Sequence, residues 1–371
     1  MPATWSTGNG DDRRTLVVIF LRGGADGLAL VPPVGDDAYH VARPTIGVTH
    51  AESIRLDDRF ALHPRLAPLA PLFRDGALGI VHAVGSDDTT RSHFEAQDLM
   101  EHGGTSGGGW LGRFLRVRDG NAPTALSAVA IGESFPESLR GAPSVAVLRS
   151  LDDFALDADD HAMLGALDTL YAGASSALGG RLAPAARDTL SALRRVAQLR
   201  GTPHAPAHGA AYPGDDFGRD LAEVARLIRG RVGLAVATVD LGGWDSHFTQ
   251  GALLDPLMDC LALGLHAFHT DLGPAEMAHV TVVVMTEFGR RVAENASLGT
   301  DHGRASVMFV MGAGAQGGTV HARWPGLERE WLDGPGDLAV TTDYRDVLVP
   351  LLRTHGATDT ARIFPDRPRI A

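Results

Sequence analysis

Residues 282–318 constrain the fold most. They read VVVMTEFGRR, a variable turn, GTDHGRAS and then VMFVMGAGAQGG. An apolar strand therefore ends in a carboxylate at Glu287, a loop carries Asp301 and His302 among glycines, and a second strand follows. Open α/β sheets hold their chemistry at strand ends. Acids and imidazoles gathered there, with little apolar company, point to a metal site rather than a core.

The rest of the chain supplies further strands of the same kind. Residues 15–21 are a continuous β-branched and apolar run, the pattern of a parallel strand buried on both faces, and they end at Arg22-Gly23-Gly24-Ala25-Asp26-Gly27. The glycines permit a tight turn that brings Asp26 over the sheet edge, where it either caps the turn or joins a site. Residues 77–84 predict a second strand with His82 as a satisfied core histidine; 125–131 predict a third and 143–148 an edge strand. Residues 234–239 predict another, which delivers Leu241-Gly242-Gly243-Trp244-Asp245-Ser246-His247. Asp245 and His247, two apart on a curved glycine loop, can address one ion or simply bond each other.

Between the strands lie helical patterns. Three prolines break residues 62–72 into short turns. Ser92 and Glu95 match a capping box, Phe94, Leu99 and Met100 suit a buried face, and Gly103-Gly104 ends the helix. A hydroxyl at a helix start after a strand also lies in a field that stabilises its alkoxide or a bound anion, so Ser92 carries both readings. Arg91 and His93 flank it and could bind an oxyanion or stand solvated. Asp215 and Asp216 cap a helix striped by Phe217, Leu221, Val224 and Leu227, residues 253–268 are helical, and Asp343 caps the last long helix. Cys260 has no neighbour to make it reactive.

At 371 residues and 44% hydrophobic content, the chain can bury a full core. One α/β domain is expected over 14–371, with 152–214 as a helical insertion and loop and 1–13 as a flexible N-terminus. The net charge of −12 argues against nucleic acid or an anionic membrane as partner. No apolar run reads as long enough to span a bilayer. A single cysteine excludes an intramolecular disulfide and a cysteine-rich metal site, which fits a cytoplasmic setting. Arg13 and Arg14 before an apolar run are similar to a twin-arginine export signal, but GGADG follows with no A-x-A-like site, so the run reads as the first strand. The chain has no lysine, which rules out a P-loop lysine and a lysine Schiff base.

Six motifs in order, FLRGGADGL, FALHPRLAPL, TRSHFEAQDLMEHG, GGWDSH, TEFGR and GTDHG, resemble the bacterial domain-of-unknown-function family 1501, placed in the alkaline phosphatase and sulfatase clan. The resemblance runs from about Arg14 to the C-terminal helix. It implies a three-layer αβα fold with a central, mostly parallel, alkaline-phosphatase-like sheet, and two metals flanking a nucleophile at a helix start. By position, Asp26 resembles the acid after the first strand and Ser92 the nucleophile. Asp245 and His247 resemble the ligands of one metal, with His302 as its second histidine, and Glu287 resembles the acid of the other. Two departures stand out: Phe288 follows Glu287 where the clan commonly has aspartate then histidine, and Asp245 and His247 are two apart rather than a helical turn. One metal then lacks a ligand unless His93 or Asp301 replaces it.

The expectation is a metal-dependent hydrolase of anionic phosphate or sulfate esters holding one or two divalent ions, zinc or manganese. Asp26, Asp245, His247, Glu287 and His302 would bind metal, with Asp301 in the same set orienting His302. Ser92 would be nucleophile or anion ligand, and Arg22 or Arg91, with His93, would meet the oxyanion. The alternatives are a phosphomutase on the same scaffold and a degenerate, metal-stabilised binding protein.

Overall fold

The computed structural model of the protein describes residues 14–120, 124–151, 190–192, 194–200 and 205–367. The N-terminal residues 1–13 and most of the insertion expected over 152–214 lie outside these; the described part of 190–200 is helical.

Strands β1 (Thr15–Leu21), β4 (Leu78–Gly85), β5 (Ala128–Ile131), β6 (Ala146–Leu148), β7 (Val236–Leu241), β8 (Val280–Thr286), β9 (Ser306–Gly312) and β10 (Val320–His321) build one sheet in the order β10-β4-β9-β8-β1-β7-β5-β6. β11 (Thr342–Asp343) joins the outer edge of β4, and β2 (Ile54–Arg55) with β3 (Ala61–Leu62) forms a separate hairpin. Pairing is parallel throughout the main sheet except around β9, which runs antiparallel to both β8 and β4. That one reversal matters to function. The chain leaves β8 at its C-terminal end and re-enters β9 at the same edge of the sheet, so everything in the loop between them stays at that edge.

Three layers follow from side-chain alternation. In β1, Val17, Ile19 and Leu21 face one apolar cluster while Leu16, Val18 and Phe20 face another, and the whole strand is buried. A strand covered on both faces needs apolar residues at every position, which is why it reads as a continuous run. The first face is covered by α3 (Leu69–Arg74), α6 (Asp216–Arg229) and α7 (Gln250–Met277); the second by α4 (His93–His102), α5 (Trp110–Val117) and α8 (Tyr344–Thr354). The α/β sandwich with a mostly parallel sheet is thus as expected, and so are the short turns over 62–72 and the edge position of β6.

Some local expectations fail. Ser92 stands at the N-cap of α4, but its side chain makes no capping bond; Met100 is buried as expected, whereas Phe94 is 85% exposed, because the inward face carries Ala96 with Met100. Helix α7 is longer than its apolar core suggests. Its length and composition would suffice to cross a membrane, but here it is bent at Gly273 and its buried residues belong to the sheet's first apolar cluster.

His82 behaves as a core histidine. It is fully buried, its Nε2 donates to the Val31 carbonyl at 3.0 Å, and its Nδ1 accepts from the Ala83 amide at 2.8 Å. Burial pushes its pKa down to about 4, and burial with the charges of Arg118 and Arg14 pushes His355 to about 3. The unfolded chain protonates both near the ordinary value of 6.5, whereas the folded chain does not until far lower. Between those limits the unfolded state binds more protons, so stability is present above about pH 6.5 and is lost as pH falls toward 4. Urea unfolding in chelator should show this loss. In His82→Gln the dependence should flatten by about 1.4 kcal/mol per pH unit, and an unchanged slope would refute the assignment.

Candidate metal centre

The C-terminal ends of β1, β7 and β8, the start of α4 and the loop into β9 meet at one sheet edge. Close approach is built into the glycines: a Cβ on Gly23, at φ +119°, would stand 2.6 Å from the Asp245 amide nitrogen, and one on Gly299 would stand 2.3 Å from the His247 carbonyl carbon. Only a bare backbone lets these loops touch.

Arg290 knits them together. Its guanidinium is fully buried, and it donates to the carbonyls of Gly23, Gly24 (2.7 Å), Trp244 (3.2 Å) and Thr300 (3.2 Å) and to Asp245 Oδ1 (2.7 Å). A planar fork with several donors suits such convergence. Burial pushes the Asp245 carboxyl up, but the bond and charge of Arg290, with His302 and His247, outweigh this and hold it at about 2. Asp245 is therefore an anion at any ordinary pH.

Around it stand three imidazoles. His93 Nδ1 is 2.9 Å from Glu287 Oε1, His302 Nδ1 is 2.8 Å from the Arg91 carbonyl, and His247 Nδ1 is 3.3 Å from Asp301 Oδ1. Each partner can only accept, so each Nδ1 donates, and in the neutral tautomer Nε2 carries the lone pair. These Nε2 atoms point at one place. His247 and His302 bring theirs within 2.9 Å of each other and within 3.1 and 3.2 Å of Asp245 Oδ1, while His93 Nε2 lies 3.6 Å from Asp245 Oδ2. His93 Nε2 is also buried without a hydrogen-bond partner. His93, Asp245 and His302 each offer an atom within 4.8 Å of the others, the geometry of a cation site. Burial, with the charge of Arg290, holds His302 below the usual histidine range and so neutral; the Glu287 bond raises His93 against its burial.

The other expected ligands sit differently. Glu287 is in the cluster, but its oxygens are engaged: Oε1 accepts from Gly23 N, His93 Nδ1 and Gln97 Nε2, each at 2.9 Å, and Oε2 from Thr286 Oγ1 at 2.9 Å. It orients His93. Asp301 also orients a histidine, but this is His247 rather than His302, and Asn295 and Arg291 hold the carboxylate in turn. Asp26 is not brought to the cluster. It is fully buried in a two-pronged pair with Arg43 (2.6 and 3.1 Å), caps α1 (Gly27–Leu30) through the amides of Leu28 and Ala29, and accepts from Gln250 at 2.7 Å.

Ser92 lies between two contributors, the Arg91 carbonyl that fixes His302 and the His93 ring. Arg91 has φ +58°, a left-handed conformation that costs a non-glycine residue energy. Its guanidinium turns away to buried Asp337, at 2.9 and 2.5 Å. Arg22 is likewise committed elsewhere, to Glu101 (2.6 Å) and Asp240 (2.8 Å). Phe288 packs its ring 4.9 Å from both His93 and His302 and walls the site.

Arg290, Gln97 and Asn295 carry almost no site signal in the sequence alone. Arg290 does stand inside the TEFGR motif, an arginine three residues beyond a strand-end acid, and that position is the one available signal. Replacing it by glutamine strands four carbonyls and a carboxylate. Urea denaturation of Arg290→Gln should show a loss of about 3–5 kcal/mol, against under about 1 kcal/mol for exposed Arg55→Ala; equal losses would contradict the keystone role.

Compared with known proteins, the chain matches over residues 76–349 the profile of a family described as protein of unknown function, DUF1501. No curated protein matches. Among solved structures, a 2-O GAG sulfatase aligns over 93% of this chain and 75% of its own, at 12% identity and a TM-score of 0.30, too low to argue from.

Proposed function

For a chain that belongs to the DUF1501 family, whose description assigns no activity, we propose a metal-dependent hydrolase of phosphate or sulfate esters. One observation carries this reading: in their neutral tautomers, with Nδ1 donating to Glu287, Asp301 and the Arg91 carbonyl, the rings of His93, His247 and His302 turn their Nε2 lone pairs toward the anionic Asp245. Uncompensated, that arrangement is repulsive, and a divalent cation relieves it. Three imidazoles and one carboxylate suit zinc or manganese better than magnesium or calcium, which prefer oxygen. His93, His247, His302 and Asp245 would hold the ion. Glu287, Asp301 and the Arg91 carbonyl fix the ring orientations, as outer partners of metal-bound histidines do.

The carboxylates of Asp26 and Glu287 are already spent on Arg43, Gln250 and hydrogen-bond donors, which favours one ion rather than two. A bound ion would supply Lewis-acid polarisation of an ester oxygen and lower the pKa of an oxygen nucleophile. Ser92 provides that nucleophile or an anion ligand. Its hydroxyl is not consumed by capping, it begins α4 where the helix field favours negative charge, and the strained Arg91 fixes its approach. The guanidinium groups of Arg22 and Arg91, both paired with carboxylates, have no part in this reading.

Elemental analysis of untagged protein should find about one zinc or manganese per chain, lost in His302→Ala and Asp245→Ala and retained in Asp26→Asn. Absence of metal after incubation with either ion would end the proposal. Ser92→Ala should keep its metal while turnover of a phosphate or sulfate ester falls by about a thousandfold or more; undiminished turnover would remove Ser92 from the chemistry.

A further inference from the structure

The far end of the sheet carries a second opening. Beyond β4 the edge is split: β10 pairs only with Ile80 and Val81, β11 only with Val84 and Gly85, and residues 322–341 leave the sheet between them. Between this broken edge and helix α8 lies a cavity of about 420 Å³. That is within the range of small-molecule sites. Its lining reaches β4 and β9, whereas the metal centre gathers at the C-terminal ends of β1, β7 and β8.

Its floor is apolar, formed by Val81 and Val310 of the sheet and Val347 and Leu351 of the helix. The helix contributes an acceptor as well. Pro350 sits inside α8 and has no N–H, so the carbonyl of Asp346, four residues earlier and also at the cavity, loses its helical donor. The rim is polar. The Asp346 carboxylate there is neutralised by Arg367 at 2.5 Å, and His321 Nε2 is spent on the Gln316 carbonyl at 2.9 Å. Arg323 is different: it lines the cavity, is exposed, and makes no ion pair or side-chain hydrogen bond among the described residues. The opening thus offers one uncommitted positive charge above an aliphatic floor.

We propose that this cavity binds a small amphipathic carboxylate, with the anion on Arg323 and the aliphatic body on Val81, Val310, Val347 and Leu351. A guanidinium recognises a carboxylate by two parallel hydrogen bonds as well as by charge. The aliphatic floor supplies the remaining affinity through burial. The proposal does not depend on the reading of the metal centre.

Isothermal titration of the full chain with octanoate and with octan-1-ol tests it. The wild type should bind one equivalent of octanoate, at least tenfold more tightly than the alcohol. Arg323→Ala, an exposed change that spares the core, should weaken octanoate about tenfold and leave the alcohol unchanged. Val347→Trp, checked for folding by its thermal transition, should abolish binding of both by filling the cavity, with metal content unaltered. No binding of octanoate to the wild type, or equal octanoate affinity in Arg323→Ala, would overturn the proposal; should Val347→Trp not fold, Arg323→Ala decides alone.

Discussion

Arg290 is the interaction on which the edge of the sheet depends. Loops from β1, β7 and β8 arrive there with carbonyls that no strand or helix satisfies, and a single buried guanidinium collects those of Gly23, Gly24, Trp244 and Thr300. A buried charge is costly unless it is fully bonded and partnered. Here the partner is Asp245, so the group that satisfies the loops also fixes the carboxylate at the centre of the cluster. Structural and chemical roles are joined in one side chain.

The cluster itself is defined by the groups that stand behind its histidines. Acceptors behind each histidine take the Nδ1 hydrogen, and this turns three rings so that each Nε2 faces Asp245. The antiparallel β9 is what makes this possible, since a parallel strand at that place would carry the chain away from the edge before returning. With β9 reversed, Asp301 and His302 fall just before Ser306 at the edge where β8 delivers Glu287.

Much of this was legible in the residues. Strand-end acids, glycine loops and continuous apolar runs report local structure, and local structure plus a mostly parallel sheet suffices to bring Asp245, His247, Glu287 and His302 to one edge. What was not legible is which acid meets a cation and which meets a donor. Asp26 and Asp245 both follow a buried strand through glycines, yet Asp26 is paired with Arg43, seventeen positions on, and Asp245 with Arg290, forty-five on. No local pattern distinguishes these partners. The capping expectation for Ser92 failed for a related reason: a capping box is a statement about short-range bonds, and here the conformation of Arg91 and the packing of His93 against Phe288 set the entry into α4.

Asp26 shows how the fold sorts equivalent carboxylates. It is fully buried, and its oxygens are saturated by Arg43, Gln250 and two helix-start amides. Nothing remains for an ion. Asp245 is nearly half exposed, and beyond Arg290 its neighbours are imidazole nitrogens, which in their neutral form can share a cation with it. The same chemical group is thus a closed structural pair at one strand end and an open ligand at the next. Exposure and the kind of neighbour, guanidinium and amides at Asp26 but imidazoles at Asp245, decide between them, which is why the centre is expected to form at β7 and not at β1.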